Sequence, residues 1–177
     1  MQYVINSKHI FQEGGCCQVY SIEKRPNILF KEFSKQNKAA DAMLIQRKLA
    51  KFDLAPMVCS DLCRLDFISD NLVIGRSNWG YITEFASPTL YETKVEKYRI
   101  LRKIQFLVDS IYKVSKLKFW DCHYYNTGWV YRNGSPKLVC IDTGSESFDG
   151  YADAWGMGSP GPKCSYCNKY QCRCSEY

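Results

Sequence analysis

The chain opens on short stretches in which apolar and polar positions alternate. "YVINSKHIFQ", "CQVYSIE" and "NILFKEF" are rich in β-branched and aromatic residues and are separated by Gly14-Gly15 and Pro26-Asn27, which predicts three strands. From Gln36 to Phe52 the period changes: Ala, Met, Leu and Ile recur among Lys and Arg, and the pattern fits a helix closing before Pro56. "RLDFIS", "LVIG" and "WGYITEF" return to strand character. Across residues 93–118, Leu101, Ile104, Val108 and Ile111 recur at three- and four-residue spacing, the mark of an amphipathic helix. "TGWVY" and "KLVCID" then flank Asn133-Gly134, a hairpin turn signal, although Ser135-Pro136 leaves room for a longer loop. From about Gly150 the chain becomes a Gly/Pro-rich linker, "GMGSPGPK", and a cysteine-rich tail. No internal repeat is present. The order strands, helix, strands, long helix, hairpin predicts an α+β chain with a β-rich front and a helical back.

Composition narrows this picture without changing it. At 177 residues, 46% hydrophobic and 15% aromatic, the chain is long enough for one folded domain with a tail and too apolar to be disordered overall. No apolar run approaches the ~18 residues that span a bilayer, and "MQYVINSKHIFQEGG" has no apolar h-region of a signal peptide. The expectation is a soluble, cytoplasmic protein. The net charge of +6 is concentrated in residues 93–118, which hold eight Lys or Arg against Glu96 and Asp109. That helix reads as a core helix with a solvated basic back; a face for nucleic acid or an acidic partner is the alternative, with no sequence-specific nucleic-acid reading expected.

Six of the ten cysteines are scattered through core-like segments, and the other four crowd the tail, which is a poor disulfide framework and points to reduced thiols. Cys164, Cys167, Cys172 and Cys174 have the spacing C-x2-C-x4-C-x-C. Four thiolates so placed suit one tetrahedral Zn2+; lipidated or redox-active thiols and an unstructured tail are the alternatives.

The chemistry gathers in "WDCHYYNTGWVYRNGSPKLVCIDTG", Trp120 to Gly144. Folding the chain back at Asn133-Gly134 sets Asn126 opposite Ile141 and Asp142, at one end of a rigid hairpin. Asp121 reaches that end on the loop leaving the long helix. Asp and Asn also cap turns, but two hard oxygen ligands beside a further carboxylate suit Mg2+ holding a phosphate.

"D-x-H-x-x-N" from Asp121 to Asn126, followed sixteen residues later by "D-T-G" at Asp142, resembles the catalytic loop and metal-binding acid of kinase-like phosphotransferases. His123 makes it more similar to the aminoglycoside-phosphotransferase branch and to small viral or bacterial-effector kinases. The resemblance implies that Asp121 orients or deprotonates the acceptor hydroxyl, that Asn126 and Asp142 hold Mg2+, and that His123 braces the loop. It also implies a glycine-rich phosphate loop at "QEGGCCQVY", with Gly14, Gly15 and Val19 on the nucleotide, although only part of the glycine pattern is kept. Lys31 in "ILFKEF" falls at the phosphate-binding lysine, and Glu84, Phe85 and Ala86 at the hinge that binds adenine; Trp79 and Tyr81 are expected in the core. No glutamate stands in residues 36–52 to pair with Lys31; Gln46 fits best, with Asp41 the alternative, and Gln46→Glu is expected to be neutral or mildly activating. Trp120 replaces the arginine that receives an activation-segment phosphate, which implies an ungated enzyme.

The fold so implied is bilobal: an antiparallel, β-rich N-lobe over residues 1–86, a truncated, mainly helical C-lobe over 87–149, and the tail over 150–177. The function implied is an ATP- and Mg2+-dependent Ser/Thr protein kinase acting on a protein substrate, in the host cytoplasm if viral or effector in origin. A small-molecule kinase and a nucleotide-binding pseudokinase serving as an interaction module are the alternatives.

Overall fold

The computed structural model describes residues 3–13, 17–70, 72–91 and 93–149, so Gly14, Gly15 and the tail cysteines Cys164, Cys167, Cys172 and Cys174 lie outside the described residues. The chain forms β1 (Val4–Glu13), β2 (Cys17–Ile22), β3 (Arg25–Phe33), α1 (Gln36–Ala50), β4 (Asp66–Ser69), β5 (Leu72–Arg76) and β6 (Gly80–Glu84). It continues through β7 (Ser87–Pro88), α2 (Lys94–Ser115), β8 (Lys118–Phe119), β9 (Thr127–Arg132), β10 (Ser135–Cys140) and β11 (Phe148–Asp149). The class is α+β, as the sequence order predicts. No helix among the described residues is long and apolar enough to cross a membrane.

The first six strands make one sheet in the order β5-β4-β1-β2-β3-β6. The expectation of an antiparallel front half is corrected at one pair: β4 runs parallel to β1, Val4 facing Asp66 and Asn6 facing Ile68. The cause is the route of the chain. β1, β2 and β3 form a meander, and the chain then crosses through α1 to add β4 on the far side of β1, a return too long for a hairpin. The second half, expected to be mainly helical, holds α2 as its one helix longer than a turn among the described residues. The rest of its regular structure is a β10-β9-β7 sheet and a β8-β11 pair.

α1 joins the halves because its apolar positions cover two faces. Ala39, Ala42 and Met43 pack with Phe33 and Tyr81 against the large sheet. Ile45 and Leu49 pack with Leu107 and Ile111 of α2 and with Phe119, Cys140 and Phe148. α2 starts at a capping box, Glu96 N donating to Thr93 Oγ1 at 3.2 Å and Thr93 N to Glu96 Oε2 at 3.0 Å. It ends at Lys116, whose φ of 62° is left-handed. Its buried positions are Ile104, Leu107 and Ile111. Leu101, expected in that stripe, is 45% exposed, although Ile104 on the next turn is buried.

Two glycines are required by geometry. A Cβ on Gly80 would lie 2.0 Å from the Lys31 carbonyl oxygen and 2.6 Å from the Phe30 ring, so β6 can pair with β3 here only without a side chain. At the hairpin tip Arg132 pairs directly with Ser135, and Asn133 and Gly134 have φ of 51° and 76°. This is a two-residue turn with both central residues left-handed, so Ser135-Pro136 does not lengthen the loop.

A charged latch ties that hairpin to β6 and to the end of α1. Arg132 donates from Nη1 and Nη2 to the two oxygens of Glu84, both at 2.5 Å, and from Nε to Asp53 at 3.2 Å; Lys137 reaches Asp53 at 2.8 Å. Burial works against the Glu84 carboxylate, but the Arg132 fork and the Met57 N–H outweigh it and hold its pKa below the usual value. Its stabilising effect is therefore present above the unfolded pKa of about 4.3 and is lost as pH falls through the lower folded value. Glu84→Gln is expected to destabilise the protein by about 1–3 kcal/mol at pH 7 and to flatten the acid limb of a melting-temperature profile below about pH 4.3. An acid limb unchanged from that of the parent would exclude the latch as its source.

Candidate functional site

Lys31 enters the site from mid-β3, flanked by Val19 on β2 and Tyr81 on β6 as its cross-strand partners. The residue is only 7% exposed. Its Nζ donates to Gln46 Oε1 at 3.2 Å and to the Ile141 carbonyl at 2.5 Å. Among the described residues no carboxylate lies within 4 Å of it. Burial works against the ammonium, while Tyr81, Cys17 and Asp142 favour it, and the balance holds its pKa above the ordinary lysine value. Burial also pushes up the Tyr81 phenol and the Cys17 and Cys140 thiols. A lysine with two neutral acceptors and no paired acid is placed to meet a further anion.

Gln46, not Asp41, partners Lys31. Its side chain is wholly buried and saturated: Oε1 also accepts from Tyr81 Oη at 2.9 Å and Thr143 Oγ1 at 3.2 Å, while Nε2 donates to the Pro56 carbonyl at 3.0 Å and to Thr83 Oγ1 at 2.5 Å. The residue is an amide for a reason: it needs two donors on one side and an acceptor on the other.

The hairpin brings its two ends together as the register predicts. The Asn126 carbonyl accepts from the N–H of Ile141 at 3.0 Å and of Asp142 at 3.5 Å. Asn126 Nδ2 donates to Asp121 at the backbone oxygen, 3.0 Å, and at Oδ2, 2.9 Å. With both hydrogens directed to Asp121, Asn126 keeps Oδ1 as its neutral acceptor oxygen. His123 Nε2 lies 3.3 Å from Asp121 Oδ1 and 3.1 Å from Asn126 Nδ2, so the ring braces the loop as expected. In the Nε2–H tautomer it donates to Asp121 and turns Nδ1, buried without a partner among the described residues, inward as a bare acceptor. Asp142 is oriented by Gly144 N at 3.1 Å on Oδ1 and Ser147 Oγ at 2.7 Å on Oδ2.

The donor set can be tested against Mg2+. Among the described residues no three His, Cys, Asp or Glu side chains converge on one point. One carboxylate and one amide oxygen fit a hard ion that keeps its waters and takes substrate phosphates, and do not fit an ion needing a full protein cage.

The expected adenine-binding edge is more constrained. Glu84 spends its carboxylate on Arg132 and on Met57 N, and the Phe85 N–H donates to the Asn27 carbonyl at 2.9 Å. Ala86 packs on Val130 and Val139. Tyr81 is fully buried and Trp79 packs at the same cluster, as expected of core residues.

Three contributions escape the sequence reading. Ser147 fixes the Asp142 carboxylate, Thr143 bonds Gln46, and the signal for Thr143 was its place inside "D-T-G". Tyr91 meets Tyr124 edge-on and Tyr124 lies tilted against Tyr125 in the 121–126 loop, with ring centroids 5.2 Å apart for the first pair and 4.0 Å for the second. The neighbouring Tyr125 hydroxyl, more than any other cause, pushes the Tyr124 phenol above its usual value.

Gln46→Glu is no longer expected to be benign. A carboxylate there would set an oxygen against the Pro56 carbonyl and remove a buried donor, a cost of about 1–3 kcal/mol that a gained Lys31 ion pair offsets only in part. Thermal melting should report lower stability for Gln46→Glu; unchanged melting would mean that the Nε2 bonds carry no weight.

No family model matches the chain and no curated protein matches it, which leaves the arrangement of Lys31, Gln46, Asp121, Asn126 and Asp142 to carry its own functional reading.

Proposed function

We propose that the chain is an ATP- and Mg2+-dependent phosphotransferase with a minimal protein-kinase-like, bilobal arrangement, acting on a Ser or Thr hydroxyl of a protein. One observation supports this above the others. Residues 46, 31, 141, 126 and 121 form a continuous hydrogen-bonded series, from the Gln46 amide through Lys31, the Ile141 peptide and Asn126 to the Asp121 carboxylate. Lys31, Asn126 and Asp121 are thus held in fixed relation although they come from distant parts of the sequence, which supports reading them as phosphate-binding cation, metal ligand and base.

In this reading Lys31 directs its remaining N–H at phosphate oxygens, for which its buried charge is matched. Asn126 Oδ1 and the Asp142 carboxylate would hold Mg2+, which supplies neutralisation of charge on the β- and γ-phosphate oxygens. Asp121 accepts a hydrogen bond from the acceptor hydroxyl and orients its oxygen toward the γ-phosphorus. As the oxygen–phosphorus bond forms and the bond to the β-phosphate oxygen breaks, the hydroxyl proton passes to Asp121 and ADP leaves. Asn126 keeps Asp121 aimed through the 2.9 Å bond to Oδ2, and His123 supports Oδ1.

A second reading, a nucleotide-binding module without turnover, is favoured by one observation: Lys31 is held by an amide and a peptide carbonyl rather than by an acid. Turnover separates the two. Incubation with radiolabelled ATP and Mg2+, alone and with cell lysate, should label protein. Asp121→Ala should lower the rate by about two to four decades while sparing nucleotide binding, the range for losing a positioned base. Asp142→Ala should abolish Mg2+-dependent nucleotide binding. No labelling despite Mg2+-dependent ATP binding would leave the binding module standing; an Asp121→Ala variant with parental turnover would remove Asp121 as the base.

A further inference from the structure

A concave surface lies away from these residues, between α2 and the β9–β10 hairpin, and holds a groove of about 710 Å³. Its floor is apolar: Leu54, Val114 and Leu138 are partly buried members of the neighbouring core, with Leu107 beneath. Phe106, 74% exposed, and Phe52, 53% exposed, rise at its sides, an arrangement that leaves two large aromatic side chains in water.

The rim carries a charge that selects the occupant. Four basic residues line the groove against a single acid, Asp53. Two of the four are committed: Lys137 bonds Asp53 at 2.8 Å, and Lys103 sits 4.7 Å from the Trp129 ring centroid. Arg102 and Lys113 have no acid within 4 Å among the described residues. They stand eleven residues apart on one helix, roughly 16 Å at 1.5 Å per residue. An extended chain covers that span in roughly five residues at about 3.3 Å each.

We propose that this groove is a docking site for an extended, acidic segment of a partner protein, with two carboxylates about five residues apart meeting Arg102 and Lys113 and bulky apolar side chains between them on the apolar floor beside Phe106. Such a segment neutralises the rim and covers the aromatic walls at once. A nucleic acid would satisfy the cations but leave the apolar floor unmatched. The docking is independent of phosphoryl transfer and is tested by binding alone.

The probe is a fluorescein-labelled peptide, Gly-Glu-Leu-Asp-Phe-Ser-Glu-Gly, titrated with the full chain by fluorescence polarisation at low and raised salt. Saturable binding that weakens with salt is expected. Phe106→Asp and Lys113→Glu should each weaken it about tenfold without lowering the melting temperature, since both side chains are exposed. Exchanging the second probe glutamate for lysine should restore binding to Lys113→Glu. The proposal is overturned by absence of saturable binding, or by equal affinity for a probe with Leu and Phe moved outside the acids. Indifference to Phe106→Asp, or equal displacement by an oligothymidylate, would also overturn it.

Discussion

The Gln46 side-chain amide is enclosed on all sides and carries five hydrogen bonds, to Lys31, Tyr81, Thr143, Pro56 and Thr83. Those partners belong to β3, β6, the loop after α1 and the turn after β10. In a low-dielectric interior each bond is strong and each missing one is costly, so the amide fixes the mutual placement of four segments rather than merely tolerating it. Lys31 is held where it is because Gln46 accepts from it, and Thr143 holds the Asp142 turn against the same oxygen. A neutral group suits this task better than an acid, because it must give as well as receive.

Around that centre, packing and charge act on different scales. The two-faced α1 helix unites the large sheet with α2, and it does so with small residues on the sheet side and larger aliphatic ones on the other. Gly80 lets β6 lie close over Lys31, which brings Tyr81 within reach of Gln46. The Glu84–Arg132 pair then fastens the far end of the hairpin, so that both of its ends are tied to the rest of the fold: one by the latch, the other by Asn126 and Ile141. A rigid hairpin clamped at both ends is a suitable mount for oxygen ligands.

Much of this was legible in the sequence where one local rule governed. The Asn133-Gly134 turn fixed the hairpin register, and the register alone set Asn126 beside Asp142. The helix of residues 94–115 followed from the spacing of its apolar positions. Gln46 was identifiable as the Lys31 partner by helical position. What was not legible depended on distant segments. The parallel β1–β4 pair follows from where the chain returns after α1, which no pattern in "RLDFIS" records. Leu101 fits the apolar stripe by spacing, yet is exposed, because which flank of a helix is covered depends on elements distant in sequence. Arg132 and Glu84 are unremarkable in sequence and meet only because β6 and the hairpin converge, and Gln46's donors to Pro56 and Thr83 are equally non-local.

The order of strands in the large sheet has a consequence for how the protein comes into being. Its first strand lies in the interior, so the sheet cannot be completed around β1 until β4 has left the ribosome. Lys31 waits longer still. Its second acceptor, the Ile141 carbonyl, is 110 residues further along the chain, which at roughly 5–20 residues per second is a delay on the order of 5–20 s. During that interval a lysine destined for burial remains solvated, and the β3 strand that carries it stays open to exchange and to proteases. A nascent chain stalled before the hairpin should therefore be soluble in part but unclosed at its centre, with the surroundings of Lys31 the last portion to mature.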